Sequence, residues 1–294
     1  MFRIGILGAA DIAFNKFIPA LMKVEGVECA GVASNSPDKL KRFVEKYNVH
    51  VYSSYNEVIG DDSVDCVYIP LPPAFHYEWA KKALLAGKHV FLEKPSTTSA
   101  DDTRELVGIA GEKGLVVQEN YMFQFHAQLK EIENLIASGE LGKLRLVRTS
   151  FGFPRRAEGD FRYVKELGGG TMMDNGGYTI KLIDMLLGES MRLVSSQLDY
   201  DEKTGIDIFG TAEFVNDDGV IAQAAFGMDC QYQCSLELWG SRGRLTTGRI
   251  YTAPDGFKPV ALVETGAGTR TVELTSCDAF EESIKMHLGA VEDE

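Results

Sequence analysis

Glu93, Lys94, Asp174 and Tyr178 stand out in this 294-residue chain as side chains that could carry protons or hold a charged ligand. Lys94 ends the run Gly87-Lys88-His89-Val90-Phe91-Leu92-Glu93-Lys94-Pro95. Val90, Phe91 and Leu92 are strand formers and Pro95 removes a ladder donor, so Glu93 and Lys94 fall at the carboxyl edge of a sheet. In an open α/β sheet that edge is where ligands bind. The plainer alternative is an exposed lysine that ends a strand. Asp174 and Tyr178 follow Gly168-Gly169-Gly170 and, four residues apart, share one helix face. Gly176 and Gly177 each cost a helix about 1 kcal/mol against alanine, so close approach by a ligand or another backbone accounts for them. Tight helix packing with Tyr178 as a core aromatic is the competing explanation.

The elements that must position these groups begin at Phe2. An apolar strand through Leu7 leads into Gly8-Ala9-Ala10-Asp11-Ile12-Ala13 and then a helical pattern through Phe17, Leu21 and Val24. A strand, a glycine turn and a helix suit a dinucleotide pyrophosphate, which sits where unpaired helix N–H groups and the dipole favour negative charge. Gly8, Ala10, Asp11 and Ile12 are the candidates, although Ala10 stands where the G-x-G-x-x-G/A pattern has its middle glycine. The second strand, residues 28–33, ends in Ser34-Asn35-Ser36-Pro37-Asp38-Lys39, with Arg42 a turn further on. An NAD site usually offers a carboxylate here for the ribose 2′-hydroxyl. Ser34 and Asn35 backed by Lys39 and Arg42 would instead accept a 2′-phosphate, so NADP(H) is favoured over NAD(H). Short strands are expected at residues 49–52, 64–69 and 115–117, and helices at 77–85 and 99–113. Pro70-Leu71-Pro72 is a stiff loop suited to a flat ring, with His76 opening the next helix. The alternation is that of a doubly wound, parallel α/β domain over residues 1–119.

From residue 120 to 294 the character changes. A helical stretch at 122–138 gives way to strands at 144–151, 193–200, 206–214, 221–228, 233–239 and 243–247, an α+β domain with an open, mostly antiparallel sheet. The length fits two cores. A net charge of −13 excludes a general nucleic-acid binder. No apolar run can span a bilayer and no signal peptide precedes the first strand, so a cytoplasmic protein is expected, with no membrane or nucleic-acid partner. The five cysteines are scattered, and Cys230 and Cys234 lack companions for a zinc set, so no metal is expected.

Glu93-Lys94-Pro95 followed by Gly-Gly-Gly-x-x-x-Asp-x-Gly-x-Tyr resembles the Gfo/Idh/MocA oxidoreductases over essentially the whole chain. The tyrosine at 178 is similar to the subgroup of glucose-fructose oxidoreductase, dihydrodiol dehydrogenases and nucleotide-sugar 3-ketoreductases, and Asp160-Phe161-Arg162 points to the last of these. The resemblance implies a Rossmann domain, a sheet domain serving substrate binding and oligomerisation, and hydride transfer between nicotinamide and a carbinol or ketone carbon of a sugar, nucleotide sugar, polyol or related diol. On that footing Lys94 and Tyr178 are catalytic. Tyr178 gives the proton in the reducing direction, and Lys94 stabilises the alkoxide and lowers the phenol pKa from about 10; Lys94 as the direct acid is the alternative. Glu93, Pro70, Leu71, Pro72 and His76 join the cofactor set, and Asp174, Arg162 and Tyr121 the substrate set. A homodimer or homotetramer through the sheet is expected. Phe280, Ile284, Leu288 and Val291 describe an amphipathic helix, and the sequence stops inside it at Glu294, where relatives usually continue. An NAD(P)H sensor, or a vestigial family member without activity, is the competing class.

Overall fold

The computed structural model describes residues 1–188 and 190–293. The chain divides into two compact units, Met1–Tyr121 with the residues from Phe280 onward, and Met122–Ala279. The expected boundary at 119/120 therefore moves by two residues, and the last helix, expected with the second domain, belongs to the first.

The first unit contains β1 (Phe2–Leu7), a π-helical turn (Ala13–Phe17) continued by α1 (Ile18–Leu21), β2 (Val27–Ala33), α2 (Pro37–Tyr47), α3 (Tyr55–Gly60), β3 (Cys66–Ile69), α4 (His76–Leu85), β4 (His89–Glu93), α5 (Ala100–Lys113) and β5 (Val117–Asn120). All five strands are parallel, in the order β2-β1-β3-β4-β5. Strands covered on both faces need continuous apolar runs, and Ile4, Ile6, Val67, Ile69, Val90 and Leu92 are fully buried. The expected strand at 49–52 is only a bridge from Val51 to Val32 at the sheet's edge. Ser54 caps α3 by accepting from the Glu57 N–H at 3.2 Å, and the Glu57 carboxylate reaches back to the Ser53 N–H at 2.5 Å. The last strand starts later than expected and takes in Glu119 and Asn120, which puts Asn120 opposite Glu93.

The second unit contains α6 (Ala127–Ala137), β6 (Leu144–Gly152), a π-helical turn (Met172–Gly176) leading into α7 (Gly177–Leu187), and β7 (Arg192–Tyr200), β8 (Asp207–Val215), β9 (Ile221–Gly227), β10 (Gln233–Gly240), β11 (Gly243–Gly248), β12 (Val260–Thr265) and β13 (Gly268–Glu273). Its sheet runs β13-β12-β11-β10-β6-β9-β8-β7, antiparallel except for β6 and β9. The β12–β13 hairpin is an addition to the strands expected from sequence. One face buries Val147, Phe151, Phe226, Leu236 and Leu238. The other carries a polar row across six neighbouring strands: Gln223 donates to Glu213 at 3.0 Å, Arg148 donates to Gln223 at 3.1 Å, and Arg244 bridges Glu237 at 3.0 Å and Glu264 at 3.4 Å. Trp239, Phe209, Ile221, Val260 and Leu262 lie exposed on that same face.

The last helix, α8 (Ala279–Asp293), returns to the first unit, where Ile284, Ser283 and His287 are fully buried. Among the described residues no helix is long and apolar enough to cross a membrane, and no group of three or more His, Cys, Asp or Glu could hold a metal ion.

Candidate active site

The carboxyl edge of the first sheet brings together most residues singled out there. Gly8 follows β1 with φ +124°, a conformation natural only to glycine, and a Cβ on it would stand 2.9 Å from Leu71 Cδ2. The Pro70-Leu71-Pro72 loop thus lies over the glycine turn. His76, with no exposed surface, joins this loop to the next: its Nε2 is 2.7 Å from the Leu71 carbonyl oxygen and its Nδ1 2.8 Å from that of Pro95. Burial pushes the His76 pKa down, the Pro95 and Leu71 carbonyls oppose this, and the nearby Lys94 charge adds to it. Pro95 follows Lys94 through a cis peptide bond.

Glu93, at the end of β4, is anchored by two donors on one oxygen, Tyr68 Oη at 2.8 Å and Asn120 Nδ2 at 2.7 Å. Tyr68 cannot swing away, because its ring stacks on Phe17 at 3.7 Å. Burial raises the Glu93 pKa, against the pull of both hydrogen bonds and of Lys94. Sequence reasoning missed Asn120; its signal was an amide ending a strand beside the Glu93-Lys94 edge.

At the other side of the glycine turn, the Arg42 guanidinium bridges to Asp11 at 2.6 Å, donates to the Ala9 carbonyl at 3.3 Å and lies 4.6 Å over the Phe14 ring. Ser34 Oγ accepts from the Ser36 N–H at 3.0 Å, while Asn35 and Lys39 are exposed. These residues fit a phosphorylated dinucleotide: the turn uses a glycine-only conformation, and the buried Arg42 Nε, one turn beyond Lys39, has no hydrogen-bond partner.

In the second unit the glycine-rich stretch is a device for packing. Tyr178 is 6% exposed, with Phe151, Phe123 and Tyr251 at ring-centroid distances of 5.1, 5.6 and 5.7 Å, and its hydroxyl is 3.7 Å from Met122 Sδ. A Cβ on Gly176 would stand 3.2 Å from the Phe226 ring, so close packing accounts for this glycine. Asp174 lies in the π-helical turn, outside regular α-helical register with Tyr178. It pairs with Arg162 at 2.8 Å, and Arg162 also meets Asp160 at 3.1 Å. Burial works against the Arg162 charge, but the two carboxylates prevail and raise its pKa. Arg162, expected in the substrate set, is thus already compensated by two carboxylates. Tyr121 is buried at the end of the first unit.

Asn175 was not singled out from sequence. Fully buried, it donates to the Phe151 carbonyl at 2.7 Å and the Gly227 carbonyl at 2.9 Å, tying together the ends of the parallel pair β6 and β9, while Thr171 Oγ1 donates to its Oδ1. An asparagine inside a helical run was the available signal, since its side chain competes with the backbone there unless it has partners elsewhere.

A Rossmann-type sheet with a glycine turn and a lysine at its ligand edge, followed by a sheet domain bearing a buried tyrosine, defines an NAD(P)-dependent oxidoreductase. Residues 2–121 match the oxidoreductase family with NAD-binding Rossmann fold (GFO/IDH/MocA), and residues 129–246 match the GFO/IDH/MocA C-terminal domain. The chain belongs to this family. It is 36% identical over 289 residues to a dTDP-3,4-didehydro-2,6-dideoxy-alpha-D-glucose 3-reductase of Actinomadura kijaniata, covering 98% of this chain and 87% of that protein. It is 31% identical to D-xylose 1-dehydrogenase (NADP(+)) 2 of Haloferax volcanii, over 98% of this chain and 88% of that one. A crystal structure of a 3-ketoreductase from Actinomadura kijaniata with NADP and TDP-benzene matches with a TM-score of 0.96 at 35% identity, over 99% of this chain and 90% of that chain.

Proposed function

We propose that the chain is an NADPH-dependent ketoreductase acting on a nucleotide-activated keto-sugar. The observation that carries this reading is the combination of Lys94 at a braced sheet edge with Arg42 beside the glycine turn. The whole-length likeness to a 3-ketoreductase whose structure holds NADP and TDP-benzene supports it. Gly8, Ala10, Asp11 and Ile12 would hold the pyrophosphate, and Ser34, Asn35 and Lys39 with Arg42 the 2′-phosphate. Pro70, Leu71, Pro72, His76, Glu93 and Lys94 would hold the nicotinamide end. The bound cofactor supplies the hydride.

The chain supplies the matching proton and the charge. Tyr178 is the proton donor to the carbonyl oxygen. Lys94 stabilises the negative charge that develops on it, with Lys94 as the acid in its place the alternative assignment. Asp174, Arg162 and Tyr121 orient the sugar, with Asp174 and Arg162 acting as a fixed pair.

The test is a titration with NADPH and NADH followed by nicotinamide fluorescence, then turnover with dTDP-3,4-didehydro-2,6-dideoxy-α-D-glucose. Tighter NADPH binding and NADPH consumption with this substrate are expected. Better binding of NADH overturns the cofactor assignment, and NADPH binding without turnover of any keto-sugar overturns the reductase assignment.

We also infer a homodimer or homotetramer through the outer face of the eight-stranded sheet. Exposed Trp239, Ile221 and Leu262 beside alternating arginines and acids make a surface that can meet a copy of itself. A single monomeric species in light scattering at micromolar concentration would overturn this.

A further inference from the structure

We propose that the last helix completes the catalytic turn, with Ser283 acting through Asn120 and Glu93 as a positioning residue for Lys94. The inference rests on the reading of Lys94 given above. Ser283 lies 163 residues beyond Asn120 in sequence, yet its Oγ donates to Asn120 Oδ1 at 2.9 Å, and both residues are buried to within 1%. Gln118 Nε2 donates to Ser283 Oγ at 2.9 Å and to the Ser283 carbonyl at 3.1 Å.

A serine hydroxyl has one proton to give, and here it goes to Asn120. That contact decides which way the Asn120 amide faces: oxygen toward Ser283, NH2 toward the Glu93 carboxyl, 2.7 Å away. Tyr68 donates to the same Glu93 oxygen at 2.8 Å. Gln118, Ser283, Asn120 and Glu93 therefore form a chain of hydrogen bonds in which each member sets the orientation of the next, from β5 through α8 to the residue preceding Lys94. Beyond Lys94, the Pro95 carbonyl packs 2.8 Å from the Nδ1 of the buried His76. The turn is held on both sides, and one of the two arms is supplied by the far end of the chain.

Without the Ser283 hydroxyl, Asn120 Oδ1 loses its donor in a buried site. The amide is then free to turn over and present its oxygen to the Glu93 carboxylate, two acceptors facing each other. The loosened turn displaces the Lys94 ammonium, and misplacement of a catalytic group is felt in turnover more than in cofactor affinity.

The experiment uses the full chain with NADPH and the dTDP-keto-sugar named above, comparing wild type, Lys94→Ala, Ser283→Ala, Ser283→Thr, Asn120→Ala and the Ser283→Ala/Asn120→Ala double variant. Ser283→Ala is expected to lower kcat about tenfold with the KM for NADPH unchanged, Ser283→Thr to restore most of it, and the double variant to be no worse than Asn120→Ala alone. Hydrogen exchange gives a second readout independent of substrate: the peptide spanning residues 89–99 should exchange faster in Ser283→Ala than in Ser283→Thr, with the β1 peptide unchanged. A Lys94→Ala defect with wild-type kcat in Ser283→Ala overturns the relay alone. The relay is also overturned by equal exchange in the two Ser283 variants, or by a defect that threonine does not rescue. Wild-type kcat in Lys94→Ala overturns the reading of Lys94 and the relay's catalytic purpose with it.

Discussion

In the first unit the turn that carries Lys94 is held by directional polar contacts, from His76, which lies between the Leu71 and Pro95 carbonyls and as a neutral ring donates to one of them, and from Tyr68 and Asn120 to Glu93. In the second, Tyr178 is held by shape, among Phe123, Phe151 and Tyr251, on a helix brought close to Phe226 by a glycine. The two schemes suit the two side chains. A lysine is a flexible stem whose head is placed only as well as its backbone, so the backbone must be tied down. A phenol is a rigid plate, and packing its faces fixes the direction in which its hydroxyl points.

Removal of the reactive groups themselves should have the largest effect. Lys94→Ala and Tyr178→Phe are each expected to lower kcat by roughly 10²- to 10⁴-fold, the usual size of a lost acid-base contribution. Because Tyr178→Phe leaves its aromatic neighbours in place, its melting temperature should match wild type. Near-normal steady-state turnover in both variants would break the comparison at its root.

Asn175→Ala should next separate fold from chemistry in the second unit. It removes a donor from the buried Phe151 and Gly227 carbonyls, of which Gly227 keeps the Phe153 N–H at 3.1 Å, and is expected to cost about 2 kcal/mol in urea unfolding. A loss below half of that would mean that shape alone holds the helix against β6 and β9.

The polar scheme of the first unit should be sensitive to acid. Burial lowers the His287 pKa from 6.5 to about 3, so between these values the unfolded chain binds a proton that the folded chain does not, and stability falls as pH drops below 6.5. At pH 5.5 the loss from this group is on the order of 1 kcal/mol relative to neutral pH. His287→Phe, placed beside the Phe91 ring 5.2 Å away, should flatten that part of the stability profile. An unchanged slope between pH 5 and 7 would show that His287 is not the group responsible.

The smallest effect is expected at the cofactor edge. Arg42→Ala should weaken NADPH binding about five- to tenfold and leave NADH binding within twofold, as for one charge-assisted contact partly offset by the Asp11 pair. Equal losses for both cofactors would assign Arg42 to packing over Phe14 in place of 2′-phosphate recognition.

Much of the first unit was legible in the sequence because buried parallel strands leave continuous apolar runs, as at Val90-Phe91-Leu92, and because Pro95 marks the strand's end. The edge at Lys94 was legible for the same local reasons. The brace behind it was not: Asn120 and Ser283 are 163 residues apart, and nothing in the composition of either neighbourhood pairs them. The apolar stripe Phe280-Ile284-Leu288 says that a helix buries one face but not against which unit. The π-helical turns were equally hidden, since passing from i+4 to i+5 bonding leaves residue types unchanged, and this is why Asp174 and Tyr178 were assigned regular helical spacing. The β12–β13 hairpin escaped because its outer strand, Gly268–Glu273, is mostly polar and exposed.

The return of α8 to the first unit makes that unit discontinuous in sequence, with the residues of the second unit inserted between its two parts. On the ribosome, the first 121 residues emerge with one flank still open, and the second unit is synthesised whole before the piece that closes the first is made. The dinucleotide-type unit begins folding before the second unit and is completed after it, and the hydrogen bond from Ser283 to Asn120 can form only once the second unit has been synthesised.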